Sequence, residues 1–358
     1  MAVYTQIDNP AEFFSVKIYS GSGSNTTVAH GLSGNAPDMF LIKRRNSTGG
    51  WINWNTGLTN NSYYMQWNNS DQQDNSTNNL QNTATTTTNI SIGDQAFTNA
   101  SGGTYVLYSW KAGGSASTNT SGSEDVELSA NATSGFSVCT GTSASSGEFT
   151  FAHGLGTKVD MCIFKNKTDG GTDWVVFQSN VCDATTKYMT LGSGALATNG
   201  SSIWGAALPT TTLMGGTSGQ LVTASKGFSA YNFSNRQGFL KCGTYTGNGN
   251  TDGTFVYTGF KPAFVMIKRS SSTGNWYIAD NKRDTFNVVS KALFPNANSA
   301  EGDLASNTPL DFTSNGFKLR NSNLTGDTNI NISGSTYIYM AFAEAPFVNS
   351  KGVPTTAR

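Results

Sequence analysis

The sequence predicts an all-β protein made of three tandem jelly-roll-like antiparallel β-sandwich domains. Short runs of β-branched and aromatic residues alternate with turns of Gly, Asn, Ser and Thr, which is typical of strands and their connections. Three landmarks recur in the same order at a spacing of roughly 100 to 125 residues, which suits a small sandwich domain. The best helical candidate, residues 288–293, is too short to be a structural pillar. Room for about eight short strands in each copy favours a jelly roll over an immunoglobulin-like sandwich.

The three landmarks define the repeat. The first is a turn followed by an apolar strand with a basic end, at residues 29–44, 152–165 and 257–269. The second is a polar turn that ends in tryptophan, at Trp51, Trp174 and Trp276. The third is a turn that enters an aromatic strand, at residues 101–108, 225–231 and 333–339.

The apolar strands carry large side chains at both parities. In the third repeat Phe264 and Met266 alternate with Val265 and Ile267. A strand in a two-layered protein shows this pattern when both of its faces are covered, either inside a sheet or by a neighbouring domain. The pattern fits both arrangements and does not choose between them.

Changes in composition divide the chain into six segments. They are an N-terminal arm (1–12), the first repeat (13–112), a flexible Gly/Ser/Thr linker (113–134), the second repeat (135–234), the third repeat (235–347) and a C-terminal tail (348–358). Residues 68–89 of the first repeat are almost entirely polar and predict a long exposed excursion between strands.

Charge and hydropathy argue against two classes of partner. The 22 basic side chains are balanced by 22 acidic ones, whereas binding to phosphates needs a basic surplus, so no nucleic-acid partner is expected. No apolar run approaches the roughly 20 residues that span a bilayer, so no membrane insertion is expected. The first ten residues also lack the features of a secretory signal, which favours release by cell lysis.

Signatures of catalysis are not found in the sequence. The histidines, His30 and His153, occupy the same turn in two repeats, and the third repeat has Thr258 there, so we interpret them as turn residues. The glutamates are scarce and repeat in no common motif, which speaks against a glycosidase pair. Asp280, Arg283 and Asp284 follow Trp276 closely and predict a salt-bridged turn rather than a polar active site. We expect no catalytic residues and no enzymatic activity.

Metal and cofactor sites are not expected either. One turn is rich in oxygen ligands that suit calcium, at Asn248, Asn250, Thr251 and Asp252, but such turns occur more often for backbone reasons. Cys162 and Cys182 lack the spacing of a zinc site. The four cysteines lack the dense spacing of a disulfide scaffold, and we expect them to be reduced and structural.

Aromatic side chains offer the best candidate for a ligand surface. Trp51, Trp174 and Trp276 could stack on sugars, but their repetition favours a shared core role. Tyr63, Tyr64 and Trp67 have no counterparts in the other repeats and flank the polar excursion. These last three are the predicted ligand surface of the first repeat.

The third repeat resembles a module found in structural proteins of tailed bacteriophages, especially marine ones. The similarity is carried by four stretches, 243–249, 258–269, 311–320 and 335–344. The first two repeats match this module more loosely, mainly through His-Gly-Leu and the Asp-Met strand that follows it. The resemblance covers most of the chain, and it carries no catalytic residues to transfer.

The resemblance implies a virion surface protein, assembled in the host cytoplasm and released by lysis. We expect a non-enzymatic component of the tail-fibre or adhesin type that contributes to host attachment. A capsid decoration or head-appendage protein is the alternative, and a glycan depolymerase is a more distant one. The expected partners are other virion proteins, further copies of the same chain, with a trimer as one option, and a glycan of the host surface.

Overall fold

The computed structural model describes residues 5–83, 85–182, 186–192, 194–198, 202–205, 209–304, 309–320 and 329–356. The fold is all-β, with antiparallel sheets preceded by one 3₁₀ turn, Pro10–Glu12. This confirms the fold class predicted from the sequence, while the jelly-roll connectivity stays a prediction. Residues 288–293, the best helical candidate, contain a short strand instead.

The first repeat forms one large sheet and one two-stranded ribbon. Its strands are β1 (Phe14–Ser20), β2 (Thr26–Ala29), β3 (Met39–Arg44), β4 (Trp51–Asn55), β5 (Tyr63–Gln66), β6 (Asp74–Asn75), β7 (Asn89–Ile92) and β8 (Thr104–Trp110). The large sheet has the order β1-β8-β3-β4-β5-β6, and β2 pairs with β7 in the ribbon.

The second repeat has the same plan with two strands added at one edge. Its strands are β9 (Ser117–Asn119), β10 (Val126–Asn131), β11 (Phe136–Thr142), β12 (Glu148–Ala152), β13 (Met161–Asn166), β14 (Val175–Gln178), β15 (Lys187–Thr190), β16 (Ala197–Thr198), β17 (Leu213–Thr217) and β18 (Gly227–Phe233). The large sheet has the order β16-β15-β14-β13-β18-β11-β10-β9, and β12 pairs with β17 in the ribbon.

The flexible linker predicted at residues 113–134 is wrong. Strand β10 lies within it and pairs with β11 from Val126 opposite Gly141 to Asn131 opposite Phe136. Val126 and Leu128 are buried while Glu127 between them is exposed, so the segment has the period-two pattern of a half-buried strand. The Gly, Ser and Thr content around it conceals that pattern.

The third repeat divides its strands among one large sheet of four strands and two smaller sheets. Its strands are β19 (Leu240–Thr246), β20 (Phe255–Tyr257), β21 (Phe260–Arg269), β22 (Tyr277–Asp280), β23 (Lys291–Ala292), β24 (Gly302–Asp303), β25 (Leu310–Thr313), β26 (Gly316–Leu319) and β27 (Thr336–Pro346). The orders are β19-β27-β21-β22, β20-β26-β25 and β23-β24.

The three large sheets share one topology. In each repeat the last strand (β8, β18 or β27) lies between two partners. One partner is β1, β11 or β19, and the other is the apolar strand of the first landmark. The strand after the tryptophan turn pairs with the far side of that apolar strand, so the orders are β1-β8-β3-β4, β11-β18-β13-β14 and β19-β27-β21-β22. The landmarks in the sequence therefore occupy equivalent places in space.

The central strands of each large sheet are buried on both faces. In β18, Phe228 packs on the ribbon side against Phe149 and Phe151, with ring centroids 5.8 and 5.1 Å apart. Tyr231 and Phe233 belong to a second core that joins all three repeats. The strands carry large side chains on both faces because the two-stranded ribbon covers one face and neighbouring repeats cover the other. This is one of the two arrangements that the sequence predicted.

Aromatic rings join the repeats at the centre of the molecule. Trp110, Phe233 and Phe342 lie at matching positions of the last strands, opposite Met39, Met161 and Phe264. The centroid of Phe342 is 6.0 Å from that of Trp110 and 6.1 Å from that of Phe233. One ring from each repeat thus contributes to a continuous core.

The chain ends pack on this assembly. Thr5 donates its hydroxyl to Gln237 O, and Ile7 is 4 % exposed. Asp8 accepts hydrogen bonds from Ser350 of the tail. The described parts of the arm and the tail are therefore held together at one place on the third repeat.

Candidate functional site

The three landmark tryptophans hold the repeats together in a ring. Trp51 Nε1 donates to Phe294 O and Ala297 O at 2.9 and 3.0 Å. Trp276 Nε1 donates to Thr190 O, and Trp174 Nε1 donates to Gln66 O. The first repeat thus contacts the third, the third contacts the second, and the second contacts the first. Head-to-tail contacts that close in this way give a ring, so a single chain forms an internal pseudo-threefold assembly.

The exposed fraction of these tryptophans shows whether their rings could stack on a sugar or are packed in the core. Trp51, Trp174 and Trp276 are 0, 2 and 0 % exposed. A buried indole cannot offer its face to a sugar, and each indole N–H is already used across a repeat boundary. The core role predicted from their repetition is confirmed.

A buried lysine accompanies each tryptophan. Lys43, Lys165 and Lys268 end the apolar strands and are all 0 % exposed. Lys43 Nζ donates to Arg44 O and to Asn298 O of the third repeat, and Lys165 Nζ donates to Ser70 O of the first. Sequence reasoning noted the basic strand ends but not their burial, because the carbonyl acceptors come from distant parts of the chain.

Burial changes the protonation of these lysines. Burial, with a smaller contribution from Arg44, lowers the pKa of Lys43 from 10.5 to about 8. Burial likewise lowers the pKa of Lys165 to about 8, although Asp173 acts in the opposite direction. The hydrogen bonds to carbonyl oxygens favour the ammonium form, so the lysines serve as donors across the repeat boundaries.

Two further polar contacts between repeats lie along the last strands. Tyr108 OH donates to Asp280 Oδ2 at 2.8 Å, and Tyr231 OH receives a hydrogen bond from Asn55 Nδ2 at 2.7 Å. Asn55 and Asp280 end equivalent strands, as does Gln178 in the second repeat. Met340 takes the place of the tyrosine in the third repeat, opposite Met266.

The acidic cluster after Trp276 is a buried ion-pair network. Arg283 Nε lies 2.5 Å from Asp280 Oδ2, and Arg283 Nη1 lies 3.3 Å from Glu301 Oε2. Glu301 also pairs with Arg45 of the first repeat at 2.9 Å. Burial alone would raise the pKa of Asp280, but Arg283 and the hydrogen bonds outweigh it and hold that pKa below its usual value. The salt-bridged turn predicted from the sequence is confirmed.

The two histidines are turn residues, as the sequence predicted. His30 Nδ1 accepts the N–H of Leu32, and His153 Nδ1 accepts the N–H of Leu155. Thr258 Oγ1 does the same for Phe260 in the third repeat. Since Nδ1 accepts, the proton sits on Nε2, which faces a carbonyl oxygen in both cases. Burial lowers the pKa of both imidazoles, which keeps them neutral in their turns.

The predicted ligand surface at Tyr63, Tyr64 and Trp67 is mostly covered. Tyr64 and Trp67 are 4 and 2 % exposed, and Tyr63 packs against the central core. Tyr64 donates its hydroxyl to Asp74 Oδ2 at 2.9 Å. The prediction that Tyr64 and Trp67 form an open aromatic surface is wrong. Both side chains are covered where the repeats contact one another.

The polar excursion beside these rings forms a groove against the second repeat. Gly171 N donates to Ser70 O and Gln73 N donates to Lys167 O. Residues from Tyr64 to Asp74, together with Gly170, line a depression of about 310 Å³. Two carboxylates, Asp71 and Asp74, lie in its wall. The excursion is therefore docked on a neighbour rather than fully exposed.

The oxygen-rich turn of the third repeat is used within the protein. Asn248 Oδ1 accepts from Asn250 N and Asn331 Nδ2, and Asp252 pairs with Lys318 at 2.6 Å. In the part of the chain that the structure describes, no three His, Cys, Asp or Glu side chains are grouped to hold a metal ion. The four cysteines, all of them in described segments, are buried and form no disulfide. Among the described residues no helix has the length and hydropathy to cross a membrane.

Comparison with known proteins gives one match. No curated protein matches the chain, and no solved structure does. The model of a family described as a domain of unknown function (DUF7483) matches residues 4–99 and 93–346. The match includes all three repeats and their ring of tryptophans, and the chain therefore belongs to the DUF7483 family.

Proposed function

We propose that this protein is a non-enzymatic structural component of a bacteriophage virion, exposed on the particle and contributing to host attachment as a tail-fibre or adhesin-type protein. The observation that carries the proposal is the closed ring of tryptophan contacts at Trp51, Trp174 and Trp276. It gives one chain the outline of a trimer. Tail fibres are usually trimers, and a block with internal threefold geometry suits the end of such a fibre.

The core and surface of the molecule agree with this role. One of the two hydrophobic cores contains side chains of all three repeats, so the repeats form one block. Its outer loops are rich in Asn, Ser and Thr and carry balanced charge, which suits contact with neutral polar surfaces. The resemblance of the third repeat to phage structural modules supports the same proposal.

The test is to locate the chain on intact particles. We expect antibodies against the purified protein, coupled to gold, to mark the tail in electron micrographs, and we expect cryo-electron density for the three-repeat block at the same place. Purified protein added in excess should reduce adsorption of the phage to its host. Absence of the chain from purified particles would overturn the proposal.

Two other outcomes decide between the alternatives. Label on the capsid, without any effect of the purified protein on adsorption, would make the chain a decoration protein. Release of reducing sugar ends from the host glycan would make it a depolymerase. The carboxylates to replace would then be Asp71 and Asp74, which share a groove.

A further inference from the structure

A pocket opens where the second repeat joins the first. Its volume is about 290 Å³, near the lower limit for sites that hold small molecules. The walls come from all three repeats and include Trp67, Asn68, Asn69, Asp173, Trp174 and Asn296. The pocket therefore lies at the boundary where the repeats of the ring meet.

A glycine explains why the pocket opens at this boundary. Asn68 Oδ1 accepts the amide N–H of Trp51 at 2.8 Å, and Asn296 Oδ1 accepts the amide N–H of Trp276 at 2.9 Å. Asn68 lies two residues after Gln66, whose carbonyl accepts the indole N–H of Trp174. Asn296 lies two residues after Phe294, whose carbonyl accepts the indole N–H of Trp51. The residue at this place in the second repeat is Gly192, which follows Thr190 and has no side chain to offer.

Among the residues that the structure describes, the missing side chain leaves a hydrogen-bond donor without a protein acceptor. Within the described residues, the amide N–H of Trp174 makes no hydrogen bond, although Trp174 is 2 % exposed. A buried amide without an acceptor is unfavourable, because it has given up its hydrogen bond to water. An acceptor group on a ligand in the pocket would restore the bond that Asn68 and Asn296 supply in the other two repeats.

The lining defines the ligand chemistry. Asparagine amides and the Ser70 hydroxyl both donate and accept hydrogen bonds, and Asp173 is an exposed carboxylate. None of the residues that line the pocket is basic. The nearby ammonium of Lys165, 6.0 Å from the Trp174 ring centroid, is already bound to Ser70 O and Thr172 O. This set disfavours anions and suits hydroxyl groups, which also donate and accept.

We propose that this pocket binds a neutral sugar residue, with a ring hydroxyl or an acetamido oxygen accepting from the amide of Trp174. The indoles of Trp67 and Trp174, whose centroids are 6.1 Å apart, are buried beneath the pocket. They support its polar lining without offering a ring face to the sugar. Asn69 also borders the groove that contains Asp71 and Asp74, so a longer glycan chain can continue there. The inference deepens the proposed role in host attachment and rests on it.

The experiment measures binding of three neutral probes to the purified chain. Glucose, galactose and N-acetylglucosamine are titrated separately and followed by saturation-transfer difference NMR. We expect at least one of them to give a saturable response with a millimolar dissociation constant, the strength of a small contact that gains about 4 kcal/mol. Absence of a saturable response to all three would overturn the inference.

The decisive variant is Gly192→Asn. A Cβ at Gly192 would come 3.0 Å from Thr190 Oγ1, which accepts the Gly192 amide N–H at 3.2 Å, so this side chain must shift by a few tenths of an ångström. The backbone at Gly192 is outside the left-handed region. The new amide should accept the Trp174 N–H and fill the pocket, weakening sugar binding at least tenfold. The matched control is Gly302→Asn, where an added Cβ meets open space and binding should be unchanged. Equal binding by Gly192→Asn and the wild type would contradict the assignment.

A second variant covers the case in which Gly192→Asn fails to fold. Asp173→Ala removes an exposed carboxylate from the wall, so folding should be unaffected while sugar binding weakens several-fold. Unchanged binding would overturn the inference. Failure of the pocket assignment can be told apart from failure of the proposed function. If the chain is located on the tail but binds no sugar, only the pocket assignment is wrong. If the chain binds sugar but is located on the capsid, the role in host attachment is wrong.

Discussion

The boundary formed by Trp174 differs from those formed by Trp51 and Trp276 in one backbone hydrogen bond. All three indoles donate across a repeat boundary, but the amides of Trp51 and Trp276 also bind an asparagine side chain. Gly192 replaces that asparagine beside Trp174. The comparison teaches that the indole contact closes the ring, whereas the asparagine contact is local and can be given up to open a pocket.

The polar contacts between the last strands and the neighbouring repeats also differ from one repeat to the next. Tyr108 meets the carboxylate of Asp280, Tyr231 meets the amide of Asn55, and Met340 makes no such contact at the equivalent place. Equivalent positions therefore keep their place in the ring while their chemistry changes. How much each contact contributes to stability can be measured with single substitutions.

Removing one landmark tryptophan should have the largest effect. Trp276→Ala deletes a fully buried indole and its hydrogen bond to Thr190 O, and should lower the free energy of unfolding by about 3–5 kcal/mol. Urea denaturation followed by fluorescence measures the change. The control, Phe286→Ala, removes a side chain that is 78 % exposed and should change stability by less than about 0.5 kcal/mol. A similar small change in both variants would contradict the ring as the source of stability.

Neutralising Asp280 should rank second. Asp280→Asn leaves the buried guanidinium of Arg283 with only Glu301 as a charged partner, and should cost about 2–5 kcal/mol. The matched change in the neutral layer, Asn55→Ala, should cost about 1–3 kcal/mol. Denaturant midpoints give both values. If Asp280→Asn were the milder change, the ion pair would not be the stronger of the two contacts.

The buried lysines should make stability depend on pH. Folding lowers the pKa of Lys43 from 10.5 to about 8, so between these values the unfolded chain binds more protons and stability rises with pH. Burial raises the pKa of the Cys139 thiol, which acts in the opposite direction. The test therefore compares the wild type with Lys43→Met.

The lysine contribution is the difference between the two pH profiles. The stability of the wild type relative to Lys43→Met should rise by about 1 kcal/mol between about pH 7.5 and pH 9. Urea midpoints at the two pH values provide the measurement. Parallel profiles for the two proteins would show that Lys43 does not change its protonation on folding.

Exchanging the asparagine and glycine should give the smallest effect. Asn68→Gly removes the acceptor of the Trp51 amide and should destabilise the protein by about 1 kcal/mol, whereas Gly192→Asn should stabilise it by a similar amount. Thermal unfolding of both variants measures the changes. Shifts of the same sign would contradict the equivalence of the two positions.

Repeats and strands could be predicted from the sequence because they depend on local pattern. Alternating apolar residues and turn residues identified the strands around the landmarks. The histidines were recognised as turn residues because the third repeat has Thr258 at the same position, where its hydroxyl accepts the same backbone N–H. Alternation at Val126, Glu127 and Leu128 could have found β10, but its Gly- and Ser-rich surroundings favoured a linker. Tyr64 and Trp67 were predicted on a ligand surface because nothing in the local sequence shows what covers them.

The sequence by itself determined the β class, the threefold repetition and the covering of both faces of the central strands, because these follow from side-chain spacing along one chain. Only the tertiary structure decided what does the covering. The acceptors of the Trp51 indole, and the Asn298 carbonyl that accepts from Lys43, lie more than 240 residues away. The ring, the buried ammonium groups and the pocket beside Gly192 therefore exist only once the three repeats have closed on one another.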